Sequence, residues 1–299
     1  MQQLIVIEGP TASGKTALSV ALAKALNTVV ISADSRQFYK ELSIGTAKPK
    51  VEEMEGIPHY FIDSHSISNP VSAAQFEFEA MNLIQNELFH HSSIILAGGS
   101  GMFIDALCIG LDLIPTDSEI QENLRVELQE KGLESLLEEL KETDFDFYQE
   151  VDKQNPVRIL RALEVIRATS KPFSAWRKKE LPQRPFAVKR FVINHPRDIL
   201  YDRINQRVDI MIEAGLIDEV KSVLEFRKFT ALQTVGYKEV FDYLDGTIDL
   251  LTCTDKIKQH TRNYAKRQLT WFKKHPDTIW LEAKSTSEMV AEILQSIQK

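Results

Sequence analysis

The sequence predicts an α/β fold: a phosphate-loop parallel sheet flanked by helices, with an all-helical insertion domain. Three observations carry this. Apolar strand-like runs alternate with helix-period segments over roughly the first 110 residues, and the run at 4–8 leads directly into "GPTASGKT" at 9–16. The alternation then gives way to consecutive helices near residue 111, and strand chemistry returns at 187.

Residues 4–8 read as a short buried strand, 15–26 as a helix, and "TVVISAD" at 28–34 as a β-branched strand. "HYFID" at 59–63 is a further strand. Ser72 caps a helix extending to 90, and "SIILAGG" at 93–99 is a buried strand halted by a glycine pair. Helices follow at 118–131, closed by Gly132, then at 133–142 and 156–168. "AVKRFVINH" at 187–195 restores strand character. Helices at 197–214 (closed by Gly215), 216–226 and 254–274 precede a last strand at 278–282. Strands that alternate with helices imply a parallel sheet covered on both faces. The expected organisation is a discontinuous core, 1–111 and 187–299, around a helical insertion at 112–186.

The 299 residues bear a formal net charge of −7. The charge is segregated: residues 112–152 contain 14 acidic and 3 basic side chains, 153–190 contain 11 basic and 2 acidic, and 256–275 contain 7 Lys or Arg and no carboxylate. Such blocks suit a polyanion partner on an otherwise acidic surface, although solvated helix faces produce the same pattern. The two cysteines, Cys108 and Cys253, have no metal-ligand spacing and are expected to be reduced and buried. With no apolar stretch of spanning length, no membrane association is expected, and the expected location is cytoplasmic.

The loop "GPTASGKT" fits G-x-x-x-x-G-K-[ST] between a strand and a helix. Gly9, Pro10, Thr11, Ala12, Ser13 and Gly14 would wrap backbone amides around an anion at a helix N-terminus, Lys15 would add a point charge, and Thr16 would offer its hydroxyl to Mg²⁺. This implies a diphosphate or triphosphate without specifying which. The strand most like the metal-holding element of nucleotide hydrolases ends in Gly98 and Gly99 rather than Asp, and no N-K-x-D guanine signature occurs, which disfavours a motor or a GTPase. The carboxylate at a strand end is Asp34. It lies close to the loop if the first two strands are neighbours, and it could ligate Mg²⁺, act as a general base or cap a turn with Ser35.

Several stretches together resemble the tRNA dimethylallyltransferases: "GPTASGKT", "ADSRQFY" at 33–39, "IGTAKP" at 44–49, "AGGSGMF" at 97–103, "RILRALEV" at 158–165, "VGYKE" at 235–239 and "TRNYAKRQLTWF" at 261–272. They follow the family's order over nearly the whole chain. The resemblance implies that the loop binds dimethylallyl diphosphate with Mg²⁺, and that the dimethylallyl group passes to N6 of the adenosine just 3′ of the anticodon. It further implies that Asp34 is the general base and that Arg207 is the diphosphate-contacting arginine. Asp34, Ser35, Arg36 and Gln37 match the segment that receives the adenosine, and Arg158 and Arg161 a segment that touches the anticodon loop. Spaced three apart, those two arginines share a helix face.

The chain departs from the family pattern in places. "GGTGLY" is here "GGSGMF", where Ser100 keeps the hydroxyl and Phe103 loses a phenol. Gln121 stands where many members carry a tRNA-contacting arginine, which puts that contact in question. The expected activity is tRNA dimethylallyl transfer, with the tRNA anticodon stem-loop and dimethylallyl diphosphate as partners, Mg²⁺ as cofactor and a monomeric state. A nucleoside or small-metabolite kinase could share the loop and the sheet, but would leave the basic segments and "YAKRQLTWF" unexplained. A noncatalytic RNA-binding protein with a vestigial loop is opposed by intact Lys15, Thr16 and Asp34.

Overall fold

The structure is a computed structural model describing residues 1–112, 114–177 and 182–298. It comprises two compact units, Met1–Ile109 with Arg184–Lys299, and Gly110–Gln183.

The first unit is built on six parallel strands. β1 (Gln2–Glu8) leads through the phosphate loop into α1 (Lys15–Leu26), and β2 (Val30–Ser32) is followed by the short α2 (Val51–Met54) and β3 (His59–Tyr60). α3 (Ala73–Asn86) begins at Ser72, whose hydroxyl accepts from the Gln75 amide at 3.1 Å; β4 (Ser93–Gly98) and α4 (Gly101–Ile109) complete this half.

The spatial order is β3-β2-β4-β1 and then the two strands contributed after residue 184. β4 therefore lies between β1 and β2, so the first two strands are not neighbours, and the condition under which the sequence brought Asp34 close to the loop is not the one the fold uses. The register places Glu8 beside Gly98 and Ser32 beside Ala97.

Alternation along the strands serves two cores, because successive side chains point to opposite faces. Leu4, Val6, Ile31, Ile94 and Leu96 join Phe38, Phe76, Ile104 and Leu107 on the α3–α4 side. Ile5, Ile7, Val30 and Ile95 join Leu18 and Leu22 of α1 on the other. Each such buried side chain contributes about 1.5–3 kcal/mol, which makes this double-faced burial the main stabilisation of the sheet.

The second unit is helical. α5 (Ser118–Thr143) is broken at Gly132, whose φ of 76° and ψ of 175° lie outside the helix, in line with the two helices read from sequence. α6 (Phe145–Glu150) and α7 (Pro156–Thr169) pack with it around Leu124, Leu136, Leu140, Ile159 and Leu163. Glu164, 1 % exposed, organises this unit: it accepts the Asp117 amide at 2.9 Å and pairs with Arg161 at 2.6 Å.

Back in the first unit, β5 (Phe186–Asn194) pairs with β1, and β6 (Ile279–Glu282) is the far edge. Between them run α8 (Arg197–Glu213), α9 (Leu216–Ser222), α10 (Tyr237–Leu244) and α11 (Leu250–Phe272), and α12 (Thr286–Ile297) returns beside α1. Five α-helices of the structure were not read from the sequence: α2, α4, α6, α10 and α12. α2 and α6 span only four and six residues. α4 is apolar nearly all round and shows no amphipathic period, α10 spans only eight residues, and α12 carries a usable signal in its Ser285–Glu288 capping box.

At Gly98 a Cβ would stand 2.4 Å from the Ala33 carbonyl oxygen, a backbone atom with nowhere to go. Gly98→Ala should therefore cost about 1–3 kcal/mol through overpacking, read as a lower urea midpoint, whereas the same change at Gly56, which meets nothing within 4 Å, brings no such clash.

Candidate active site

The carboxyl ends of β1, β2 and β4 open into a cavity of about 370 Å³ within the first unit, lined by residues 11–17 of the phosphate loop, Asp34–Gln37, Thr46, Arg207, Tyr264 and Gln268. Ligands favour this edge of a parallel sheet.

The loop is shaped by a few backbone constraints. Gly14 adopts φ 94° at the start of α1, and a Cβ on Gly9 would meet Ser13 Oγ at 2.6 Å. Loop carbonyls are tied back from outside: His195 Nε2 donates to Ser13 O at 2.9 Å, and Arg203 Nε donates to Ala12 O at 2.7 Å. The first-turn amides of α1, which helix geometry leaves without carbonyl partners, form the anion-seeking end. Lys15 folds over the loop, donating to Gly9 O at 2.9 Å and Pro10 O at 3.0 Å. Its ammonium is pulled down to about 8, chiefly by burial; Asp34 opposes this and Arg207 adds to it.

Arg207 lines the same cavity and has no ion pair among the described residues. Burial lowers its pKa, with Arg203 adding to the effect and Asp34 and Glu53 opposing it. Two adjacent, partly desolvated cations with no dedicated carboxylate are electrostatically unsatisfied until an anion arrives.

Asp34 reaches this cavity although β4 separates its strand from β1, because β4 ends in glycines and presents no side chain there. Its Oδ1 accepts the Arg36 amide at 3.1 Å, so the turn-capping role holds in part. Among the described residues Asp34 makes no ion pair. The neighbouring Ser35 binds Ser100 through both its amide and its hydroxyl, each at 3.1 Å. Gln37 donates to the carbonyls of Thr46 and Ala47 at 3.2 and 3.3 Å. Thr16 faces the cavity, but no cluster of three or more His, Cys, Asp or Glu side chains suited to a metal occurs among the described residues.

The helical unit treats its predicted residues differently. Arg158 is exposed, and Gln121 lies in the first turn of α5. Arg161 is not free: it pairs with Glu164 and donates to Ile114 O at 3.1 Å. Much of the basic block at 153–190 is similarly consumed. Arg167 bridges Glu127 and Glu139, Arg177 binds Glu150, and in the first unit Arg184 binds Glu77 and Arg190 binds Glu8 and Asp105. Lys178 and Lys179 lie outside the described residues. By contrast, Lys256, Lys266 and Arg267 of α11, and Lys273 and Lys274 just beyond its end, have no ion pair among the described residues, while Lys258 of α11 binds Asp209.

Sequence reasoning missed several groups. Glu219 of α9 accepts the amides of Ser43, Ile44 and Gly45 at 2.7–2.9 Å and the Tyr237 hydroxyl at 2.6 Å, fixing the "IGTAKP" loop. Tyr264 lies beside Ser100, and its phenol is pushed up to about 12, first by burial and then by Asp34. Gln268 joins two backbone segments across the site. The motifs flagged these stretches, but no local pattern marked the individual side chains.

Fold and site together define a phosphate-loop α/β protein whose loop shares one cavity with a carboxylate that makes no ion pair among the described residues. The family model described as IPP transferase matches residues 37–275. A tRNA dimethylallyltransferase of Cytophaga hutchinsonii is 45 % identical over 99 % of this chain and 98 % of its own length; another, from Bacteroides thetaiotaomicron, is 44 % identical over 97 % and 94 %. The full-length tRNA isopentenylpyrophosphate transferase structure from Bacillus halodurans superposes with a TM-score of 0.74 at 37 % identity, covering 100 % of this chain and 96 % of that one. A eukaryotic dimethylallyltransferase acting on tRNA gives 0.80 at 28 %, covering 99 % and 78 %. The chain belongs to the IPP transferase family, the tRNA dimethylallyltransferases.

Lys15 supplies a pH test. Its side chain is charged below about 8 and neutral above, so affinity for inorganic diphosphate should fall as pH rises through that value. Titration calorimetry should show the fall in the parent protein, and uniformly weak binding without it in Lys15→Ala.

Proposed function

We propose that the protein transfers the dimethylallyl group of dimethylallyl diphosphate to N6 of the adenosine 3′-adjacent to the anticodon in tRNA and releases diphosphate. Besides family membership, the observation that carries this reading is the placement in one cavity of a phosphate loop, two cations and a carboxylate, none of which makes an ion pair among the described residues. Phosphoryl transfer from ATP receives no support from any relative.

In the proposed reaction the adenosine N6 lone pair forms a bond to C1 of the allylic group as the C1–O bond breaks, and that bonding pair leaves with the diphosphate. The proton displaced from N6 passes to Asp34. Lys15, Arg207 and the amides of residues 9–16 stabilise the charge that grows on the leaving group. The donor set suits Mg²⁺, which commonly takes one or two protein oxygens and completes its shell with phosphate and water; Thr16 would hold it, and the bound ion would supply further charge neutralisation.

The target base must leave its stack to enter the cavity. Asp34, Ser35, Arg36, Gln37 and Ser100 would receive it, and exposed Arg158 and the first turn of α5, with Gln121, would touch the anticodon stem-loop from the helical unit. The unpaired lysines and arginine of α11 provide further phosphate contacts. A cytoplasmic monomer would suffice for this chemistry, and no helix among the described residues is long and apolar enough to cross a membrane.

Purified protein incubated with undermodified tRNA, Mg²⁺ and labelled dimethylallyl diphosphate should label the tRNA; label entering only from a parallel reaction with ATP would replace the assignment. Asp34→Ala should lower transfer by about 10²–10⁴-fold while diphosphate and tRNA affinities change little. An equal loss of binding would make Asp34 a structural or metal-holding group instead. Affinity for tRNA should fall linearly in log–log form with salt, and Lys266→Ala/Arg267→Ala should make the slope shallower.

A further inference from the structure

The stretch "YAKRQLTWF" contributes Lys266 and Arg267 to the RNA contacts proposed above, yet the chemical step uses none of its other side chains. Tyr264, Gln268 and Trp271 fall four and three residues apart and therefore share one face of α11. Each meets a different part of the sheet's carboxyl edge. Tyr264 lies beside Ser100, Gln268 lies beside Gly99, and the Trp271 indole donates to Asp105 at 2.7 Å and covers Gly101 so closely that a Cβ there would stand 2.3 Å from its ring.

Gln268 is 6 % exposed, and both ends of its carboxamide are engaged. Its Oε1 accepts the Thr11 amide at 3.0 Å, and its Nε2 donates to the Gly99 carbonyl at 2.9 Å. A Cβ on Gly99 would stand 2.3 Å from that nitrogen, so the glycine leaves the space the amide needs. The amide orientation is dictated by its partners, since one can only donate and the other only accept.

Thr11 belongs to the phosphate loop. Gly99 is followed by Ser100, whose amide bonds Ala33 O at 3.3 Å and whose hydroxyl holds Ser35. Asp34 lies between those two residues. One side chain thus connects the loop to the backbone that flanks the carboxylate.

We infer that Gln268 is a positioning residue that sets the separation between the diphosphate cradle and Asp34. The inference rests on the donor and acceptor roles proposed above for those two elements. In-line displacement requires the attacking nitrogen, allylic carbon and leaving oxygen to be aligned, and errors of about 1 Å cost on the order of 10²-fold in rate. A strap of this kind affects the rate constant more than either binding constant, because each ligand still has its own contacts.

Only a group that accepts on one side and donates on the other satisfies both partners. Ionised glutamate cannot donate to Gly99 O, whereas protonated glutamic acid can do both. Gln268→Glu should therefore be active at low pH and lose kcat as its carboxyl ionises, a descending limb additional to, and at lower pH than, any decline the parent shows as Lys15 loses its charge near 8. Burial beside the anion site raises that carboxyl's pKa and brings the limb into an accessible window.

The test measures kcat, KM for dimethylallyl diphosphate and tRNA affinity for the parent, Gln268→Leu and Gln268→Glu between pH 5.5 and 8.5, values chosen around the ordinary carboxylate and histidine ranges. Expected are a kcat for Gln268→Leu reduced about 10–100-fold, KM and tRNA affinity within about threefold of the parent, and the added descending limb in Gln268→Glu. A Leu variant with parental kcat, or a Glu variant whose profile parallels the parent's, would overturn the inference. If the Leu variant does not fold, the Glu profile alone decides. A parent enzyme that transfers nothing from dimethylallyl diphosphate would instead overturn the functional reading on which the inference rests.

Discussion

The close approach of β4 to β2 at Gly98 is the constraint on which the site depends. β4 lies between the strand that launches the phosphate loop and the strand that ends at Asp34. A side chain at either of its last two glycines would separate the cradle from the carboxylate, through Ala33 O at Gly98 and through Gln268 at Gly99. Because both positions lack a Cβ, a topology that puts Asp34 two strands from β1 still yields one shared cavity. The backbone bonds Ala33 N to Ala97 O at 2.7 Å and Ser100 N to Ala33 O at 3.3 Å then fix the direction in which Asp34 leaves the sheet.

Electrostatics divides the charged groups near the loop into two kinds. Under the loop, Glu8 is fully buried and shares Arg190 with Asp105, which also accepts from Trp271 and approaches His275 at 2.9 Å. Burial pushes the Glu8 carboxyl up to about 7, with Arg190 opposing and Asp105 adding to the rise. The charges of that network are paired within it, although Glu8 Oε2 remains buried without a hydrogen-bond partner among the described residues. Above the loop, Lys15 and Arg207 are desolvated without comparable partners, a costly state that an incoming diphosphate relieves. The same physics makes one group structural and the other receptive, and the difference is whether a carboxylate is supplied in the chain.

Legibility in the sequence followed the range of each interaction. The phosphate loop and α1 were readable because their conformation is local: glycines, a lysine and a helix start within eight residues. Asp34 was readable as a strand-end carboxylate, but its route to the cavity was not, since strand order depends on pairings that no local pattern encodes. Gln268 was illegible for the same reason, its two partners lying 257 and 169 residues away. The ion pair of Arg161 was not read although its signal was present. Glu164 stands three residues further on, at a spacing that pairs side chains on a helix, and being buried it claims the guanidinium as a partner.

The fate of Arg161 bears on how this chain recognises a polyanion. A count of charges along the sequence made residues 153–190 the strongest basic segment, yet arginines 161, 167, 177, 184 and 190 all answer carboxylates. Paired charges add little to a long-range field, because the opposite charge is only about 3 Å away and screening removes what is left beyond roughly 8 Å. The unpaired cations of α11 face no such cancellation. Its basic side chains also ride on the helix that carries Tyr264 and Gln268 into the cavity, so the element that would attract RNA phosphate is the one that braces the reaction centre. Under the proposed roles, backbone attraction and base placement would be coupled through a single helix of 23 residues, and an RNA seated in the wrong register on α11 would present no base to Asp34.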